Sequence, residues 1–330
     1  MSETVAEFME KPVKKYACGR REQQAKKTLM QAFTASDKKD TATESKLFES
    51  MLDAVMQTKK GRETLTKLSK LGYTFAFEKG NFGGFCCSEE KKIVINPCCP
   101  FEYSVQMVVH EGTHAIQASL RKKTPDYYSD KVQVASHLRN RRAIEADAVA
   151  HQMAFVYECK DILPAVYEDA KKDDLPMFRA YIGEMEKSGD ERKAMQASFA
   201  AWYECDKYRK VYDEWHKGAI EEVCSYGKKE KVTDCMKEEY PASEVLKTCL
   251  YKGKPYMTEE FLNTGLAFSI TPEDKKEIVA MIQDYAAAVG VKPDLSVLTM
   301  RERTPDGKLL PEKKSAKAAV VAKAVQARGR

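Results

Sequence analysis

The stretch Val105-Gln106-Met107-Val108-Val109-His110-Glu111-Gly112-Thr113-His114-Ala115-Ile116-Gln117 decides how the chain reads. Its apolar residues Val105, Val108, Val109, Ala115 and Ile116 recur at helical spacing. Pro97 and Pro100 stand just before it, and proline is tolerated at a helix start because its missing N–H has no partner there. The pattern predicts a helix from Phe101 to about Leu120. Residues four apart share one helical face, so His110 and His114 can point at a single metal ion. Glu111 stands one step round and can reach a water held there without being a ligand, as a general base must. A random chain of this composition would contain this HExxH spacing roughly 0.007 times, so the pattern is informative.

Working outward on the N-terminal side, a helix is expected over Glu44–Met56 and another over Arg62–Leu71, stopping at Gly72. Tyr73–Phe77 and Ile93–Ile95 are β-rich runs separated by Gly80, Gly83 and Gly84, which predicts a small antiparallel sheet before the HExxH helix. On the C-terminal side a long helical pattern runs from Val132 to about Cys159. Met177–Lys187, Glu191–Cys224, Ser243–Leu250, Glu259–Leu262 and Glu273–Ala288 read as further helices. The fold class expected is α+β, mostly α, with a helical C-terminal region. The organisation read from this is a flexible polar arm over residues 1–40, a core over 41–160, a helical region over 161–300 completing the fold, and a basic flexible tail over 301–330.

Composition narrows the classes. The net charge is +5, but Lys313, Lys314, Lys317, Lys323, Arg328 and Arg330 carry six positive charges near the end, leaving the body near neutral. That argues against nucleic-acid binding except weakly through the tail. There is no apolar run long enough for a membrane span. The opening MSETVAEFMEKPVKKY has no apolar h-region, which points to the cytoplasm and to reduced thiols among the ten cysteines. The adjacent pairs Cys86-Cys87 and Cys98-Cys99 lack the spacing of a zinc knuckle and read as small buried residues.

A catalytic zinc needs three protein ligands and an open fourth position. The third candidate is Glu145, within Arg142-Ala143-Ile144-Glu145-Ala146-Asp147-Ala148, whose alanines would let its helix approach closely. Asp147 is a rival, about 200° round the helix from Glu145, so both cannot face one ion. Arg141 and His137 precede Glu145 by four and eight residues and share its face; they could steady it or bind a substrate carboxylate. His151 lies on another face and reads as structural.

HEGTHAIQ followed by IEADAVA resembles the zinc-dependent gluzincin-like peptidases, and more narrowly an uncharacterised metallopeptidase family with an HExxHxxQ helix and a downstream EADA helix. The resemblance covers about Tyr73 to Cys159. It implies Zn²⁺ held by His110, His114 and Glu145, with Glu111 as base, and hydrolysis of a peptide or protein substrate through a metal-activated water. The larger gluzincins carry an acid four residues after the ligand Glu; Val149 stands there, so support must come from Asp147 or a backbone carbonyl. Peptidases of this kind hold substrate against a sheet edge, for which Gly83-Gly84-Phe85 or Lys92–Asn96 are candidates. They also use a downstream Tyr or His to stabilise the oxyanion, and Tyr208, Tyr212 and His216 are candidates on one helical stripe. The competing reading is a catalytically inactive helical interaction protein that retains a structural zinc.

Overall fold

The computed structural model describes residues 18–37, 40–121, 130–173 and 175–311. Three helices come first: α1 (Arg20–Gln31), α2 (Thr41–Met56) and α3 (Lys59–Leu71). Residues 20–31, assigned from sequence to a flexible arm, instead form a docked helix, because Ala25 and Leu29 fall on one face and are buried against its neighbours. Thr58 caps α3 by accepting from the Gly61 N–H, and Gly72 ends it at φ 75°, a left-handed turn that glycine adopts without strain.

The strands β1 (Thr74–Phe77), β2 (Gly84–Cys87) and β3 (Lys92–Ile95) form one sheet in the order β1-β3-β2. The two runs read as strands of an antiparallel sheet, β1 and β3, pair parallel instead, and the antiparallel partner of β3 is β2, so the sheet is mixed. The chain leaves β1, passes to the far edge for β2 and returns down the middle, which makes β3 run the same way as β1. β3 is consequently paired on both sides and cannot offer Lys92–Asn96 as an edge. The outer edge of β1 is bridged by Thr34, whose N–H donates to the Phe75 carbonyl at 2.9 Å. Among the described residues no strand pairs with the outer edge of β2.

Behind the sheet lie α4 (Phe101–Leu120) and α5 (Val134–Ile162). α4 packs between β2–β3 and α5, and α5 touches helices on nearly every side, so it is buried along most of its 29 residues. Small residues at Ala143, Ala146, Ala148 and Ala150 permit that crowding. α6 (Pro164–Lys172), α7 (Pro176–Ser188), α8 (Glu191–Trp202) and α9 (Asp206–Glu230) follow. The single pattern expected over Glu191–Cys224 is therefore two helices. The chain turns at Tyr203–Cys205, and the Arg209 guanidinium holds the Tyr203 carbonyl at the break. One apolar core runs from Leu29 through Phe48, Val105, Phe155 and Trp202. A second, around Leu138, Ile220, Ile282 and Met300, joins the start of α5 to α9 and to a later helix, α10 (Pro272–Val289). No helix among the described residues is long and apolar enough to cross a membrane.

Residues 301–311, placed from sequence in the tail, are docked, whereas Lys313 and everything after it lie outside the described residues. Arg301–Glu302 pairs with Ser269–Ile270, and Arg303 is buried with its guanidinium on Asp213. Asp213 also receives the buried Arg142 at 2.5 Å. One carboxylate thus neutralises two buried cations, one from α5 and one from the C-terminal segment. Asp213→Ala should cost about 3–5 kcal/mol, because both guanidinium groups stay buried without it. Chemical denaturation of the purified variant reads that loss.

Candidate metal centre

The stagger of α4 and α5 brings three side chains together. His110 and His114 stand one turn apart on α4 with their Nε2 atoms 3.3 Å from each other. Glu145 reaches across from α5, its Oε2 lying 3.6 Å from His110 Nε2 and 3.4 Å from His114 Nε2. Two ligands about 2.1 Å from a tetrahedral ion sit ~3.4 Å apart, so these three spacings fit three corners of one zinc-sized site. Among the described residues, no other group of three or more His, Cys, Asp or Glu side chains converges in this way.

The imidazoles are aimed by amides. His114 Nδ1 meets Gln117 Oε1 at 2.9 Å. The Gln117 amide nitrogen donates to the Ile144 carbonyl at 3.1 Å and to Asp147 Oδ2 at 2.7 Å, so its oxygen must be the end facing the ring. His110 Nδ1 meets Gln152 Oε1 at 3.1 Å. Gln152 donates to Gln106 at 3.1 Å, and Gln106 donates to the Asp169 carboxylate at 3.0 Å. A carboxylate accepts only, so the direction of the whole relay is set from that end. Each imidazole therefore carries a proton on Nδ1 and turns its Nε2 atom toward the centre, the atom a metal ion would meet.

Electrostatics follow the same plan. Burial disfavours a charged His114, yet the Glu145 carboxylate beside it lifts the imidazole to about 9. Burial would raise Glu145, but His114 and His110 hold it well below the usual carboxylate range. The preference is for a cation within reach of Glu145. Burial pushes the Glu111 carboxyl up, with the two histidines acting against it.

Glu111 lines the same cleft as the triad, a space of about 480 Å³. One wall is Phe82–Cys86, the other is Tyr208, Val211, Tyr212 and Trp215 of α9. Gly84 is required here: a Cβ on it would stand 3.2 Å from Glu111 Cγ and 2.9 Å from the Val94 carbonyl oxygen. Gly112, within the HExxH turn, lets α3 close against α4, since its Cβ would meet Thr64 at 2.7 Å.

The chain carries a match to a family model described as "Putative metallopeptidase family (DUF6782)" over residues 22–231. It belongs to that family. The matched span runs from α1 to the end of α9 and holds all three of the converging side chains, together with Glu111. No curated protein and no solved structure matches the chain significantly.

The other candidates separate cleanly in this family member. Tyr212 donates its hydroxyl to Glu145 Oε2 at 2.9 Å, and Tyr208 stacks on Tyr212 and lines the cleft. His216 is buried behind Tyr212, against the ring of His137, and does not line the cleft; neither does Arg141, which lies toward His216. Asp147 faces away from the triad and anchors Gln117, sharing its other oxygen with the Tyr256 hydroxyl at 2.8 Å. His151 sits beyond Asp147, 3.6 Å away. Gln106 and Gln152 were not read from sequence. Gln106 stands four residues before His110, and Gln152 seven after Glu145, so helical spacing placed both on the right faces.

Proposed function

We propose that this chain is a zinc-dependent peptidase in which His110, His114 and Glu145 hold the metal and Glu111 is the general base. The observation that carries the reading is the tetrahedral spacing of the three ligand atoms in an open cleft that Glu111 also lines. Two imidazoles and one carboxylate are a donor set suited to zinc, and three protein ligands leave a fourth position open. A bound zinc ion would supply Lewis acidity toward the scissile carbonyl and toward water.

The chain's own groups do the rest. Glu111 takes the proton of the attacking water and delivers it to the leaving amine. Its burial favours the protonated form more than in water, which suits a group that must also give the proton back. The edge of β2 orients the substrate. Asn96 N–H donates to the Gly83 carbonyl at 3.0 Å, and Gly84 is registered with Ile95. By the alternation of an antiparallel ladder, Gly83 and Phe85 bond inward while the N–H and C=O groups of Gly84 and Cys86 point outward. An extended peptide can pair with those groups whatever its side chains. Tyr212 stands ready to donate toward the developing oxyanion if its hydroxyl swings from Glu145. Tyr212→Phe should lower kcat by about 10²-fold and change KM little, as loss of one such donor does.

Gln117→Leu tests the aiming of His114. It should weaken zinc binding about 10–100-fold, read by competition with a chromophoric chelator. The reading as a whole is tested by elemental analysis of the purified protein together with cleavage of a peptide library. One zinc per chain with cleavage is expected. No transition metal after zinc reconstitution would overturn it, and zinc without cleavage would favour the structural-zinc alternative.

A further inference from the structure

Hydrolysis needs the metal ligands and Glu111, but the cleft that holds them also exposes apolar surface that the chemistry does not use. Tyr208, Val211, Tyr212 and Trp215 fall at helical spacing on one stripe of α9, and that stripe is a wall of the cleft. The two tyrosines are half-buried, whereas Val211 is 44% and Trp215 63% exposed. On the facing wall Phe85 is 38% exposed and meets Phe82 edge-on, with ring centroids 5.2 Å apart. An exposed indole is unusual in a folded chain, and large apolar side chains gathered on one concave surface mark a place where something apolar is received.

Trp215 also stands close to the reacting centre. Its ring lies 5.1 Å from that of Tyr212, whose hydroxyl donates to Glu145 Oε2 at 2.9 Å, so a single ring separates the indole from a metal ligand. Outside the triad the lining sets Arg121 and Lys207 against Glu111 and Asp173, which leaves no surplus charge to select an ionic side chain. A space of about 480 Å³ takes a large side chain together with a length of backbone.

We infer that the cleft selects its substrates by one bulky apolar side chain, aromatic or leucine-like, taken up between Phe82 and Phe85 on one wall and Val211 and Trp215 on the other, beside the bond that is cut. This rests on the reading of the site as a peptidase. Main-chain pairing along β2 is indifferent to sequence, so it supplies hold without choice; the apolar walls supply the choice. Trp215 is then a specificity-determining residue, and it acts by covering its own exposed ring with the side chain it accepts.

The test has two arms, both on the full chain loaded with zinc. In the first, an end-blocked peptide library is digested and the cut sites are read by mass spectrometry. Phe, Leu and Met should be favoured over Ala by at least about tenfold on one side of the cut bond. Trp215→Ala should shrink that ratio to about threefold or less, and Trp215→Phe, which keeps a ring, should retain most of it. Cut sites with no apolar preference, or a preference unchanged in Trp215→Ala, would overturn the inference. The second arm needs no turnover. The chain has two tryptophans, and Trp202 is fully buried, so quenching of fluorescence by iodide reports Trp215. An end-blocked glycine hexapeptide with one central phenylalanine should protect Trp215 from iodide, and its aspartate counterpart should not. Protection without any cleavage would sink the peptidase reading and leave the apolar selection standing; cleavage without protection would do the reverse.

Discussion

Glu111→Gln should hold its zinc and its fold while losing 10²–10⁴-fold in kcat, about 3–5 kcal/mol of barrier. The amide is nearly isosteric, so it keeps its seat against Gly84 and the packing of α4 survives. It has no site for a proton at neutral pH, so neither the water nor the leaving amine is served. The comparison must be made at saturating peptide, with metal content measured on the same preparation. Equal activity in the variant would show that Glu111 is not the base.

His110→Ala is expected to do something different: the metal itself should be lost. Removing one of three ligands leaves two donors and an empty corner, and the Gln152–Gln106–Asp169 relay then has no ring to aim. Zinc recovered after dialysis should fall from about one per chain to near zero, with turnover falling alongside. Circular dichroism of the variant should stay close to wild type, because His110 lies at the cleft and the apolar contacts of α4 are made by Val105, Val108 and Val109. Full retention of zinc would remove His110 from the ligand set.

What could be read from sequence was what depends on neighbours along one helix. The pairing of His110 with His114 is a matter of turn geometry and needs no tertiary knowledge. Gln106 and Gln117 obey the same geometry but went unassigned, because glutamine at helical spacing is also ordinary surface composition; only a partner on α5 makes it an orienting group. Glu145 and Asp147 were both visible, and their opposite faces were too, but which one meets the histidines depends on how α5 is rotated against α4. That Tyr212 lines the cleft while His216 does not was out of reach, since the two stand one turn apart on the same face of α9 and only the packing of that helix against its neighbours separates them. The parallel pairing of β1 with β3 is likewise non-local, joining residues that no hairpin connects.

The edge of β2, unpaired among the described residues, has a price in colloidal behaviour. Main-chain groups that can receive a substrate strand can equally receive the strand of another copy, which is how soluble proteins begin to self-associate. The strand is only four residues long, about 14 Å, with just two residues bonding outward. It starts on one glycine and ends on two cysteines rather than on branched apolar residues, and Glu89, Glu90 and Lys91 crowd the turn that follows. An edge this brief, ending in charge, gives a small peptide enough to hold when a second anchor lies beside it in the cleft, and gives a neighbouring copy too little to stay.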